Sequence, residues 1–271
     1  MGTNLKKGER KGGRTKREEG AKLMEGGRAL PAVRRIAVAK KDDKIIKDVS
    51  FDRIIKEREK KRDLRMTSPI LIFGTGNRHK GIELGEILAP TGIEIKTLAD
   101  FPEHPEIVED GNTFAENAAK KARENALFFK RWTVAEDSGI SVAALDGAPG
   151  IFSARFSGPD ATSDRNNDLL LEKLDGVPLE KRGAWYTCSM ALSDPDGELR
   201  FTCEEYCHGR ILTERHGHNG FGYDPLFEVV EYHRTFGELD PAVKAAISHR
   251  ARATRKLIAA LGRLIAEGAI S

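Results

Sequence analysis

The stretch ILIFGTGNRHKGIELGEIL, residues 70–88, decides the fold class of this chain. Its first four residues, Ile70 to Phe73, form an apolar run typical of a strand buried on both faces. A loop of small residues follows at once, and a helical pattern then continues through Ile82 and Leu88 until Pro90 ends it. A buried strand that passes directly into a helix predicts an α/β fold.

The residues after this stretch predict further helices and strands. Thr113 and Glu116 have the spacing of a capping box, and Pro195-Asp196-Gly197 predicts a hairpin turn. The expected elements are strands at 93–95, 133–135, 185–192 and 199–205, and helices at 113–130 and 164–175 and from Ser248 past Leu264. This order predicts a mixed sheet flanked by helices, without the regular βαβ alternation of a doubly wound domain.

The charge of the 271-residue chain is unevenly divided. Residues 1–67 hold 22 basic and 11 acidic side chains, whereas the remainder holds 23 basic and 31 acidic ones. The first segment is also rich in glycine and poor in large apolar side chains, so we expect a disordered extension or a natural start at Met66. A nucleic-acid-binding arm stays open as an alternative, although the acidic residues weaken its field and no aromatic residues are interleaved.

Composition excludes several classes of protein. No apolar run approaches the ~18–20 residues that a membrane span needs, and the first residues lack the apolar stretch of a secretory signal. Cys188, Cys203 and Cys207 are the three cysteines. So sparse and odd a number argues against a disulfide scaffold and indicates a reducing, cytoplasmic environment.

Two segments could hold a phosphate or a metal. The first is the loop and helix start TGNRHK at 75–80, where backbone N–H groups and Lys80 would favour an anion. The second is AEDSG at 135–139, where Glu136 and Asp137 follow an apolar strand and must point in opposite directions. One of these carboxylates could bind a hard cation or accept a proton. An ordinary strand–helix connection and a helix cap are the structural alternatives.

Two further segments could recognise a planar group. In GFGYDPLF at 220–227 the glycines allow close approach to a ligand, and Phe221 could offer an aromatic face. In KAAISHR at 244–250 two basic side chains and a histidine surround a helix start that Ser248 would cap. A surface turn and a solvated helix end are the plainer alternatives.

Together these segments resemble the inosine/xanthosine triphosphate pyrophosphatase family. The matching pieces are TGNRHK at 75–80, TFAENAAKKA at 113–122, AEDSG at 135–139, GAPGIFSARFSG at 147–158, GFGYDPLF at 220–227 and KAAISHRARA at 244–253. The match runs from about Ile70 to Leu264 and does not include residues 1–67. It implies a nucleoside triphosphate pyrophosphatase domain at 68–271, with an elongated mixed sheet and two lobes that have the active cleft between them.

The resemblance also implies roles for individual residues. Asp137 is the expected proton acceptor, and Glu109 and Asp137 are the expected ligands of Mg²⁺. The expected substrate-binding residues are Thr75, Gly76, Asn77, Arg78, His79 and Lys80 for the triphosphate, Ser138 beside the metal, and Phe221, Gly222, Tyr223, Asp224, Lys244, His249 and Arg250 around the base. Glu136 is a departure, because aspartate is usual at this position.

The implied reaction is the Mg²⁺-dependent attack of water on the α-phosphorus of dITP, ITP or XTP, which releases pyrophosphate. The resemblance also implies a homodimer. If Lys244 and Arg250 face the six-position of the purine, these donor-only side chains would accept a 6-oxo group and oppose the 6-amino group of adenine. A nucleotide pyrophosphatase of the septum-formation type, which acts on other modified nucleotides, is the enzymatic alternative.

Overall fold

The computed structural model describes residues 70–270 of the chain. The basic segment at 1–67 and the expected start at Met66 lie outside these residues. In chain order the elements are β1 (Ile70–Phe73), α1 (Arg78–Leu88), β2 (Glu94–Thr97), α2 (Phe114–Phe129), β3 (Thr133–Val142), α3 (Ser163–Lys173), β4 (Gly183–Ser193), β5 (Leu199–Ile211), β6 (Phe227–Val229), β7 (Arg234–Thr235), α4 (Pro241–Ile247) and α5 (His249–Ala266).

The strands form a mixed sheet in the order β2-β1-β3-β4-β5-β6-β7. Strand β1 pairs in parallel with β2 and β3, and every later pairing is antiparallel. The long strands β3, β4 and β5 therefore extend the sheet beyond the short parallel part. This confirms the expected α/β class with a mixed, elongated sheet.

Two large hydrophobic clusters lie along these long strands. One packs Val134 and Leu192 against apolar side chains of α1 and α5, such as Leu84 and Leu257. The other surrounds Ile140 with residues of β4, β6 and α3. The opposite halves of β3 thus belong to different cores, which divides residues 70–270 into two lobes.

Helix α2 approaches the sheet closely because its packing face is made of alanine. Ala118 and Ala122, four residues apart, are buried against Ala135 of β3 and Ala191 of β4. Small side chains at this interface bring the α2 backbone near the sheet. Longer polar side chains on the same helix can then reach residues in the middle of β3.

The expected end of β3 at Ala135 was wrong. The strand continues to Val142 and pairs residue by residue with β4, with Glu136 opposite Met190 and Asp137 opposite Ser189. Two adjacent carboxylates did not end the strand, because cationic side chains of flanking helices reach both of them. The acidic residues therefore sit in mid-strand and not at its carboxyl end.

The helix starts agree with the expected caps, with one difference. Thr113 and Ser248 accept backbone N–H groups of α2 and α5, respectively. The Glu116 side chain, however, accepts the N–H of Asn112 and not that of Thr113, so the capping box is shifted by one residue.

The three cysteines are part of the sheet. Cys188, Cys203 and Cys207 lie on β4 and β5 as free thiols. Among residues 70–270, no helix combines the length and apolar character that crossing a bilayer requires.

The crowding around Gly139 predicts a loss of stability on substitution. A Cβ there would lie 2.4 Å from Ser153 Oγ and 2.5 Å from the Gly150 carbonyl oxygen. We expect Gly139→Ala to lower the free energy of unfolding by about 3 kcal/mol, the upper end for an overpacked site. Urea denaturation measures this change.

The matched control is Gly85→Ala in α1, where a Cβ would meet nothing within 4 Å. Alanine favours a helix over glycine by about 0.5–1 kcal/mol, so this variant should be slightly more stable than the wild type. Equal stability of the two variants would contradict the close packing inferred for β3.

Candidate active site

A cavity of about 570 Å³ opens between the two lobes. It is lined by most of the expected site residues: Thr75, Gly76, Asn77, Lys80, Glu109, Asp137, Ser138, Phe221, Gly222, Tyr223, Asp224, Lys244, His249 and Arg250. The long strand β3 and the starts of α1 and α5 contribute to the same wall. Segments up to 175 residues apart in the chain, from Thr75 to Arg250, therefore share one cleft.

At one end of the cavity, Asp137 contacts side chains of α2. Asn117 Nδ2 donates to Asp137 Oδ2 at 3.1 Å, and Lys121 Nζ lies 3.3 Å from Asp137 Oδ1. The same ammonium lies 2.9 Å from Glu109 Oε2. Asn117 and Lys121 are four residues apart and so lie on one face of the helix. Lys121 therefore stands between two carboxylates that come from a loop and a strand.

The surroundings shift the pKa values of these two carboxyl groups in opposite directions. Burial raises the pKa of Asp137; Lys121 opposes this effect and the charge of Glu109 reinforces it. Burial also acts against ionisation of Glu109, but Lys121 outweighs it, and the pKa of Glu109 lies below its ordinary value. A carboxylate with a raised pKa is the better proton acceptor near neutral pH, and here that is Asp137.

Glu136 points to the opposite face of β3 and forms a buried ion pair. Its oxygens accept from Arg250 Nε at 2.8 Å and from a terminal guanidinium nitrogen at 2.9 Å, a bidentate contact. Lys80 Nζ lies 3.2 Å from Oε1. Burial opposes ionisation, yet Arg250 and Lys80 outweigh it and hold the pKa of Glu136 far below its usual range. With both oxygens engaged, Glu136 ties the sheet to α5.

At the other end of the cavity, the buried Asp224 organises a glycine-rich loop. Its carboxylate accepts from Lys244 Nζ at 2.6 Å, from the Tyr186 hydroxyl at 3.2 Å and from the Phe221 N–H at 2.8 Å. A Cβ at Gly220, where φ is +75°, would lie 2.0 Å from Asp224 Oδ2. Only glycine fits there, so the loop sequence is set by the close approach of its own carboxylate.

His249 presents an unsatisfied ring nitrogen in the cavity wall. Its ring stacks on Tyr186 with centroids 4.7 Å apart and planes at 7°. Its Nδ1 is buried, and no group of residues 70–270 forms a hydrogen bond with it. Burial and the nearby Arg250 lower the pKa of His249 well below its ordinary value, so the ring is neutral. A neutral imidazole of this kind can donate to or accept from a ligand.

The loop before α1 differs from the expected anion site. The Asn77 side chain accepts from the N–H groups of His79 at 3.0 Å and of Lys80 at 3.3 Å. Two of the backbone donors expected to face a phosphate are therefore occupied by the cap of the helix itself. Lys80 still lines the cavity, and its Nζ lies 3.2 Å from Glu136 Oε1.

Two expected substrate-binding residues do not line the cavity. Arg78 and His79 occupy the exposed first turn of α1, outside the set of lining residues. Sequence reasoning in turn missed Asn117, Lys121, Glu83 and Tyr186. The available signal for the first two was a pair of polar residues at i and i+4 beside the buried alanines of α2.

The donor set at the acidic end suits a hard cation. Glu109 and Asp137 offer carboxylate oxygens, and Mg²⁺ is typically bound by one or two carboxylates together with substrate phosphates and water. In the part of the chain that the structure describes, no cluster of three or more His, Cys, Asp or Glu side chains could hold a metal ion. Lys121 already places one positive charge between these two carboxylates.

The Glu136–Arg250 pair predicts a large effect on stability. Arg250→Met would leave a carboxylate with no exposed surface without its main partner, and we expect a loss of about 3–5 kcal/mol in the free energy of unfolding. The double variant Glu136→Gln, Arg250→Met removes the stranded charge and should recover part of this loss. Chemical denaturation of both variants tests the pair; a double variant no more stable than Arg250→Met would contradict it.

The chain is similar in sequence to a known protein family and to several of its members. Residues 71–260 match the Ham1 family. A dITP/XTP pyrophosphatase of Rhodopirellula baltica is 50% identical over 201 residues, which cover 74% of this chain and 97% of that protein. A dITP/XTP pyrophosphatase of Desulforamulus reducens is 47% identical over 194 residues, 72% of this chain and 96% of its own length.

A solved structure is also similar. The HAM1 protein of Coxiella burnetii aligns with a TM-score of 0.65 and 38% identity, over 72% of this chain and 99% of that one. Sequence and structure therefore agree over the same region that contains the cavity and its two ends. The chain belongs to the Ham1 family.

Proposed function

We propose that this protein hydrolyses deaminated purine nucleoside triphosphates, dITP, ITP and XTP, to the monophosphate and pyrophosphate. The observation that carries the proposal is the shared cavity, which has two carboxylates and two lysines at one end and an aromatic and basic wall at the other. A nucleotide has a matching division into a charged tail and a planar base. The names of the two relatives, dITP/XTP pyrophosphatase, support the same substrate class.

In the proposed reaction, water attacks the α-phosphorus. A new bond forms between the water oxygen and the α-phosphorus, the bond to the oxygen bridging the α- and β-phosphorus breaks, and pyrophosphate leaves. Asp137 lines the cavity beside the expected metal site and accepts the proton of the water. Asn117 and Lys121 hold the Asp137 carboxylate in place.

The negative charge of the triphosphate requires compensation. Lys80 and Lys121 provide it from the protein, and Mg²⁺ bound through Glu109 and Asp137 would add a Lewis acid that stabilises charge on the phosphates. Glu136 is committed to Arg250 and Lys80, so we assign it no direct metal bond.

Base selection rests on donors at the other end of the cavity. Arg250 has five N–H groups, of which contacts to Glu136, Glu83 and Ser138 within the described residues use four. Lys244 has three, and Asp224 and Glu83 take two of them. The remaining donors, together with His249 Nδ1, favour a 6-oxo group over the 6-amino group of adenine. An unmatched donor pair costs roughly 1–3 kcal/mol.

The test of this function is pyrophosphate release from ITP, XTP, dITP, GTP and ATP, with and without Mg²⁺. We expect the 6-oxo substrates ITP, XTP and dITP to exceed ATP at least tenfold in kcat/KM, the equivalent of about 1.4 kcal/mol. Asp137→Asn should lower kcat about 10²- to 10⁴-fold, because it removes the proton acceptor. A preference for other modified nucleotides would instead favour the septum-formation type of enzyme.

The matched control is Asp110→Asn, since Asp110 neighbours Glu109 but pairs with Lys120 at the surface and lies outside the cavity lining. It should retain wild-type rates. Full activity in Asp137→Asn, or hydrolysis of ATP as fast as of ITP, would refute the proposed mechanism or the proposed base contacts.

We also propose that residues 68–271 form the whole catalytic domain. The similarity to the R. baltica protein covers 97% of that protein with 201 residues of this chain, which supports this boundary. Deleting residues 1–65 should therefore leave the kcat and KM for ITP unchanged. A loss of activity would contradict this boundary, and salt-dependent nucleic-acid binding lost on the same deletion would assign the basic segment a separate role.

Assembly and location are proposed on the resemblance and the composition alone. We propose a homodimer that works in the cytoplasm, where its substrates form part of the nucleotide pool. Free thiols at all three cysteines are compatible with a reducing compartment.

A further inference from the structure

The ring of Phe221 borders the base end of the cavity. It lies between Gly220 and Gly222, both at positive φ, +75° and +62°. Its N–H donates to Asp224 at 2.8 Å, but this bond fixes the backbone and not the ring. The orientation of the aromatic face therefore depends on what packs against it.

His79 packs against this ring. The two ring centroids are 5.1 Å apart with planes at 16°, a stacked pair. Phe221 lines the cavity, whereas His79 does not, so the imidazole contacts the ring without belonging to the cavity wall. Lys244 and Arg250 do line the cavity. Lys244 Nζ lies 4.7 Å and Arg250 Cζ lies 5.7 Å from the centroid of the same ring.

Helix α1 connects this stack to the rest of the base wall. Glu83 lies one turn after His79, so the two side chains share a helix face. The Glu83 carboxylate lies 2.9 Å from Lys244 Nζ and also pairs with Arg250. Helix α1 thus contacts both the aromatic and the basic side chains at the base end of the cavity.

We propose that His79 is a positioning residue that braces Phe221 for stacking on the purine base and does not bind the triphosphate. The proposal rests on the proposed function, since it names what holds one of its binding residues. His79 is exposed, and within residues 70–270 its side chain has no hydrogen-bonding or ion-pair partner. Replacing the His79 side chain therefore tests its contact with Phe221.

The experiment compares ITP with tripolyphosphate, which carries the phosphates without a base and should compete with ITP for the phosphate end of the cavity. His79→Ala should raise the KM for ITP roughly three- to tenfold, the range expected for a lost aromatic pair, and leave kcat and the inhibition constant of tripolyphosphate unchanged. His79→Phe, which keeps an aromatic ring at this place, should restore the wild-type KM. His208→Ala is the matched control, because His208 also lies exposed beside an aromatic ring, Tyr206 at 6.1 Å, but outside the cavity.

Two results would overturn the brace. An unchanged or lower KM for ITP in His79→Ala would show that Phe221 needs no support, and equal weakening of ITP and tripolyphosphate would assign His79 to the phosphates. Failure of the proposed function is a separate result, because then the wild-type protein itself would release no pyrophosphate from ITP.

Discussion

The buried pair between Glu136 of β3 and Arg250 of α5 is the interaction on which the site depends. The two residues are 114 positions apart, and the fully buried carboxylate accepts two hydrogen bonds from the guanidinium. Such a pair is costly to desolvate and more costly to break, so it fixes one relative position of sheet and helix. Lys80 and Glu83 join it from α1, and the pair thereby ties together three elements of the cavity wall.

The alternating side-chain directions along β3 give two adjacent carboxylates different surroundings. Glu136 faces α5 and is held ionised by Arg250, whereas Asp137 faces α2, where burial raises its pKa. Because neighbouring residues in a strand point to opposite faces, one carboxylate can stabilise the structure while the next remains available for chemistry. The alanine face of α2 completes this arrangement by letting Asn117 and Lys121 approach Asp137.

Much of the fold followed from local patterns. The strand at 70–73, the helix start at Ser248 and the hairpin around Asp196 each carry signals within a few residues, and the structure confirms them. The end of β3 carried no such signal. Its acidic residues looked like the end of a strand, because their cationic partners come from 16 and 114 residues away.

The sequence by itself determined the α/β class, the family resemblance and 14 of the residues that line the cleft, because nearly all of these lie in short motifs with their own local geometry. Only the tertiary structure decided which of them meet. It stacked His79 on Phe221, placed Lys121 between two carboxylates, and paired Glu136 with Arg250. These are contacts between distant segments, and a partner supplied by another element leaves no trace in the local pattern of residues.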